Sequence, residues 1–125
     1  MFINNGKNKL QALIIDYEAD ICFLLKSILS LKNFEATYAN TLSEGEKYLK
    51  QNDPVVIFLD NHLPDGFGID SIRHFKKNYP SSKIVMITAH DTSSDREKAY
   101  LEGVDFFIGK PFTRDIINKT VEKII

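Results

Sequence analysis

Four residues of this 125-residue chain carry the tools of a single reaction: Asp16, Asp60, Thr88 and Lys110. Each ends a short apolar run or follows it within two residues, in LIID, FLD, MITA and FFIGKP. Two carboxylates, a hydroxyl and an ammonium suit phosphoryl transfer, where catalysis is mostly positioning and neutralisation of the transferred group's oxygens. A carboxylate can itself be the phosphoryl acceptor. Two carboxylates about 5 Å apart repel by roughly 3 kcal/mol at an effective dielectric of 20, so something must offset them. A hard divalent cation does so, and an all-oxygen ligand set suits Mg²⁺. The chain has no glycine-rich phosphate loop, so a bound nucleotide is not expected as donor.

The elements that must position these groups are legible. In VVIFLDNHLPDG, residues 55–66, five apolar residues run directly into Asp60, and Pro64 and Gly66 mark the end of the strand. Similar runs occur at Leu13–Ile15, Ile84–Ile87 and Phe106–Ile108. Short, continuous and rich in β-branched residues, they read as parallel strands covered on both faces. FEATYA, residues 34–39, alternates instead and reads as an edge strand.

Helical patterns separate the strands. Ile21, Leu24, Leu25, Ile28 and Leu31 have amphipathic spacing. Thr41 and Glu44 have capping-box spacing and open a helix to about Lys50. A third helix is predicted from about Phe67 to Lys77, presenting Ile69, Ile72 and Phe75. A fourth runs from about Ser94 to Glu102 with Gly103 as its stop, and a fifth from Thr113 places Ile117, Val121 and Ile124 on one face. A β-α alternation repeated five times implies an α/β fold, with a parallel sheet between two helical layers. In such sheets the functional crevice lies beyond the carboxyl ends of the strands, which is where the four residues fall.

Composition sets the limits. The chain is 43% hydrophobic and 26% charged with a formal charge of −1, as in a soluble globular domain with no field to draw nucleic acid or a membrane surface. The single cysteine, Cys22, lies in an apolar helical pattern and reads as core; one thiol without a partner fits a reducing, cytoplasmic setting. No apolar run approaches the roughly 18 residues of a membrane span, and MFINNGKNK lacks the apolar stretch of a signal peptide. Residues 1–8 read as a flexible segment ahead of one domain over 9–125.

The segments LIIDYEADI, FLDNHLPDGFGID, IVMITAHD and GVDFFIGKPF resemble, in content and spacing, the receiver domain of two-component response regulators. The resemblance implies a flavodoxin-like (βα)5 fold with strand order 2-1-3-4-5. It implies that Asp60 accepts a phosphoryl group from a sensor histidine kinase or a histidine phosphotransfer protein. It further implies that Asp16 and Asp60 hold Mg²⁺ with the backbone carbonyl of His62, and that Thr88 and Lys110 bind the phosphoryl group. Phe107 fills the position of an aromatic that changes rotamer on activation, and the Lys110–Pro111 bond is expected to be cis. The domain would be a signalling switch for an output partner rather than a metabolic enzyme, and would not itself bind nucleic acid.

The chain departs from the family pattern at Tyr17, where the second acid of an acidic pair is usual. Glu18 follows and could reach in, although its backbone direction differs. The expectation is therefore a metal site short of one carboxylate, with Mg²⁺ weakly bound. Phe107 lacks the hydroxyl of the commoner tyrosine. His62 and His90 stand two residues after Asp60 and Thr88, as loop histidines flanking the path of hydrolytic water. Three alternatives follow. A phosphatase with a strand-end aspartate would want a second aspartate at His62. A degenerate receiver would bind partners without phosphorylation. A flavodoxin-type cofactor binder would want a hydroxyl- and glycine-rich loop in place of the acidic DYEAD.

Overall fold

The computed structural model describes residues 9–125, so the expectation for residues 1–8 lies outside the described residues. The elements, in chain order, are β1 (Leu10–Ile15), α1 (Ala19–Ser30), β2 (Phe34–Ala39), α2 (Leu42–Leu49), β3 (Val56–Asp60), α3 (Ile72–Asn78), β4 (Lys83–Thr88), α4 (Ser93–Glu102), β5 (Phe106–Gly109) and α5 (Arg114–Ile124). The five strands form one parallel sheet in the order β2-β1-β3-β4-β5, as the resemblance implies.

The period of two along each strand divides its side chains between two layers. Ala12, Ile14, Val56 and Phe58 pack against Cys22, Leu25 and Ile28 of α1 and Ile117 and Val121 of α5. Leu13, Ile15, Ile57 and Leu59 pack against Leu49 of α2, Ile72 and Phe75 of α3 and Ala99 of α4. Both faces of the central strands are covered, so their sequences are continuous apolar runs. Each large side chain buried this way contributes about 1.5–3 kcal/mol. Cys22 is buried core as read, and no helix among the described residues is long and apolar enough to cross a membrane.

The helix ends follow their sequence signals. The hydroxyls of Thr41, Thr92 and Thr113 accept from the backbone N–H three residues on, at 3.0, 3.0 and 3.1 Å. Gly103 ends α4 with φ at +114°, a conformation that costs glycine little. The Glu44 carboxylate bonds the N–H of Asn40, one residue before the reciprocal capping-box partner. A long-range cap is added by Asp65, whose carboxylate accepts from Leu42 N and Ser43 N at the start of α2.

Two expectations are corrected. In α1 the buried face is Cys22, Leu25, Ile28 and Leu29, while Leu24 and Leu31 are exposed, because α5 covers a narrower stripe than the apolar pattern offers. The third helix does not begin near Phe67. The chain first makes a two-rung hairpin, His62–Leu63 against Gly66–Phe67, then a 3₁₀ turn at Gly68–Ser71, and α3 begins at Ile72. Asn61 sets this path: its carbonyl accepts from Gly68 N at 2.8 Å and its Oδ1 from Ile69 N at 2.9 Å. Gly68 is thereby pressed against the backbone of Asp60, and a Cβ there would collide with the Asp60 carbonyl oxygen. A backbone atom cannot swing aside, so Gly68→Ala should cost about 1–3 kcal/mol. Thermal melting should show the drop, and an unchanged Tm would refute the close approach.

Candidate functional site

The parallel register brings the predicted strand-end residues to one edge. Asp16 follows β1, Asp60 ends the adjacent β3, Thr88 ends β4, and Lys110 follows β5. Lys110 N donates to the carbonyl of Thr88 at 2.8 Å, which ties the last two strand ends together. The Lys110–Pro111 bond is cis, as expected. Three groups fix the Asp16 backbone and a fourth its side chain: Asp16 N donates to Ala39 O, its carbonyl accepts from Asn40 Nδ2 and Cys22 Sγ, and its Oδ1 accepts from Glu18 N at 2.8 Å.

Lys110 is the hub. Its Nζ lies 3.0 Å from Asp16 Oδ2, 2.6 Å from Glu18 Oε1 and 3.5 Å from Asp60 Oδ1, and its side chain is only 9% exposed. Asp16 and Asp60 are buried with it. Burial pushes both carboxyls above their ordinary range; for Asp60 the charge of Asp16 adds to this, and Lys110 offsets only part. Burial alone would push the Lys110 ammonium down, but Glu18, Asp16 and Asp60 together outweigh it and hold its pKa above the ordinary value.

The structure brings Glu18 into the site despite its different backbone direction. It is the N-cap residue of α1, yet its side chain makes no cap bond and turns to Lys110 instead. Asp16, Glu18 and Asp60 each offer an oxygen, all within 4.8 Å of one another. Three carboxylates against one ammonium leave a formal charge of −2, and an all-oxygen set of that charge fits a hard dication. Glu18 thus sets a third carboxylate beside Asp16 and Asp60, where Tyr17 offers none. Tyr17 is 63% exposed and lines the mouth of the adjoining cavity.

That cavity, about 200 Å³, is lined by Tyr17, Glu18, Asp60, His62, Ala89, His90 and Lys110. His62 stands opposite Phe67 in the hairpin rung, and both loop histidines are exposed as read. Thr88 is buried, and its hydroxyl accepts from His90 N at 3.2 Å. Phe107 is also buried, with the guanidinium of Arg96 4.7 Å above its ring. Arg96 in turn pairs with Asp91 at 2.6 Å.

Sequence reasoning missed Asn61, Asn40 and Arg96. Asn61 N holds Asp60 Oδ1 at 2.9 Å, and the Asn61 side chain sets the following turn. An asparagine directly after a strand-end aspartate was a usable turn signal. Arg96 carried none, because the ring it covers, Phe107, lies on β5, eleven residues on.

A family model described as "Response regulator receiver domain" matches residues 12–122. The phosphate regulon transcriptional regulatory protein PhoB of Escherichia coli is 32% identical over 103 residues, 81% of this chain and 45% of that protein. The response regulator protein PilR of Pseudomonas aeruginosa is 30% identical over 101 residues, 81% of this chain and 23% of that protein. The chain thus spans a quarter to a half of the length of these relatives. Among solved structures, a CheY-like response regulator receiver domain from Methanospirillum hungatei superposes with a TM-score of 0.86 at 26% identity, covering 94% of each chain. The beryllofluoride-activated NtrC4 receiver domain also gives 0.86, at 33% identity, covering 91% of this chain and 94% of that one. With the match reaching from β1 into α5, and the same fold in its relatives, the chain belongs to the response regulator receiver domain family.

Proposed function

We propose that this domain accepts a phosphoryl group on Asp60 from a phosphohistidine donor, on a sensor kinase or a histidine phosphotransfer protein in the cytoplasm, and so switches a protein-binding face. The observation that carries the reading is the buried Asp60 carboxylate opening on a cavity edged by Lys110, with Thr88 on the neighbouring strand. Asp60 Oδ1 is held by Asn61 N and faces Lys110, while Oδ2 takes no hydrogen bond among the described residues and is the oxygen free to attack. Its new P–O bond forms as the donor's P–N bond breaks, and the departing imidazole takes up a proton. Lys110 then pairs with a phosphoryl oxygen and the Thr88 hydroxyl donates to another. The inclusion of Glu18 in the cluster disfavours the degenerate alternative.

Mg²⁺, held by Asp16, Asp60 and the carbonyl of His62 with Glu18 beside them, would neutralise charge on the transferring phosphoryl group. Its binding is weak, because Tyr17 offers no carboxylate and the exposed Glu18 is shared with Lys110 at 2.6 Å. Thr88, drawn towards the phosphoryl group, would alter the packing of the adjacent Phe107, paired across β4 and β5 with Met86. The ring is already buried under Arg96, so the switch needs a repacking around it rather than a burial of a polar tip.

Three outcomes are expected. Acetyl phosphate with Mg²⁺ should add one phosphoryl mass to the wild type and none to Asp60→Asn, and should shift the Phe107 ring resonances. Absence of the mass, or its persistence in Asp60→Asn, would sink the phosphoacceptor role; unmoved ring resonances would sink the coupling.

In Mg²⁺ titrations Tyr17→Asp should tighten binding several-fold and Glu18→Gln should weaken it modestly. If Tyr17→Asp has no effect, or if Glu18→Gln abolishes binding, the account of this position fails.

Without metal, the ionised Asp16 and Asp60 repel in a buried place, and a carboxyl whose pKa is raised by folding costs stability once pH rises above its unfolded value of 3.8. Asp60→Asn should therefore stabilise the metal-free protein at neutral pH by on the order of 1 kcal/mol, and Lys110→Met should destabilise it by at least as much. Melting curves in chelator check both, and the opposite order would refute this charge balance.

A further inference from the structure

His62 and His90 reach the mouth of the Asp60 cavity from different loops, one after β3 and one after β4. Their ring centroids lie 4.4 Å apart with planes inclined at 37°. Phe67 braces the His62 ring edge-on, with centroids 5.4 Å apart. Neither imidazole has a hydrogen bond or ion pair on a ring nitrogen among the described residues; His90 bonds only through its backbone N–H. His74 differs: its Nε2 meets Glu46 and its Nδ1 meets Asn78. Two exposed imidazoles with free nitrogens are thus held side by side at the rim of an acidic cavity.

We propose that His62 and His90 are adjacent ligands of one transition-metal dication of the nickel or copper kind, and that an ion seated there closes the mouth of the Asp60 cavity. Two imidazoles bound at about 2.0–2.1 Å and at right angles to each other place their centroids about 4.5 Å apart, whereas a tetrahedral angle spreads them to about 5.2 Å. The observed spacing leaves room for the right angle of tetragonal and octahedral ions and is too short for the tetrahedral one. The group of carboxylates within 4.8 Å of one another includes neither imidazole, so the two sets are neighbours and not one site. Their preferences differ as well: imidazole suits Ni²⁺ and Cu²⁺, and carboxylates suit Mg²⁺. Water completes the shell. Binding stands independently of the phosphoacceptor reading, and closure of the cavity rests on it.

The test is calorimetry with Ni²⁺ on the untagged 125-residue chain, with Mg²⁺ in excess to occupy the carboxylates. One Ni²⁺ should bind per chain. His62→Ala and His90→Ala should each weaken it by at least about tenfold, the loss of one of two protein ligands, and His74→Ala should leave it unchanged. Both cavity-mouth histidines are exposed, so these variants should fold. Ni²⁺ should also slow acetyl phosphate labelling of the wild type, and should not slow labelling of His90→Ala relative to that variant's own metal-free rate. Binding that survives both single substitutions, or that is lost in His74→Ala, overturns the site. Binding through the pair with an unchanged labelling rate overturns the closure. A wild type that is not labelled even without Ni²⁺ overturns the phosphoacceptor reading alone, since calorimetry decides the metal site by itself.

Discussion

The ammonium of Lys110 among three carboxylates is the interaction on which the rest of the molecule is organised. A buried charge of either sign is costly without partners, and here two carboxylates are buried at the rim of an apolar sheet beside a lysine whose side chain is nearly so. They are tolerable only together, and they can be together only if β1, β3 and β5 end at the same edge. The parallel sheet supplies that alignment. Its two apolar layers then hold the strands so firmly that Asp16 and Asp60 cannot drift apart to relieve their repulsion.

The same constraint explains how Tyr17 is accommodated. With a tyrosine at that position the ring turns outward, and the next residue takes over the charge. Glu18 can do so because it is the last residue before α1 and its extended backbone, φ −82° and ψ 113°, leaves its side chain free to reach Lys110. The exchange is not equivalent. Glu18 remains 61% exposed, so its charge is screened by solvent in a way that the charge of Asp16 is not.

The strands and their order of burial were legible because a strand covered on both faces must be a continuous apolar run, and such runs have few other uses. The strand-end position of Asp16, Asp60, Thr88 and Lys110 followed from them directly. The stretch after Asp60 was not legible, because its shape is fixed by Asn61 bonding Gly68 and Ile69 seven and eight residues on, which no local pattern encodes. Leu24 and Leu31 fit the helical period but are exposed, since periodicity shows which residues share a face and not how wide a stripe the neighbouring helix covers. Glu18 fell between these cases: its type was suggestive, and only the backbone path could show its reach.

The site is divided between rigid and adjustable parts, and the division bears on how a charge added at Asp60 would be felt. Asp60 and Thr88 lie on strands and Asp16, one residue past β1, is held by Ala39, Asn40 and Cys22, whereas Glu18 precedes α1 and the long side chain of Lys110 reaches in from beyond β5. A phosphoryl group on Asp60 would carry about two negative charges in place of the carboxylate's one, taking the cluster from −2 to about −3, and the ammonium would choose between it and Glu18. Glu18 is the weaker competitor, being screened, so it is the pair at 2.6 Å that would give way. Its release bears on the first turn of α1. Movement of Lys110 bears instead on Thr88, through the 2.8 Å bond from its backbone N–H, and beyond it on the β4–β5 pair, whose Phe107 carries Arg96 of α4 against it. One ammonium therefore connects both flanks of the sheet, and a change in its partner can be read on either side.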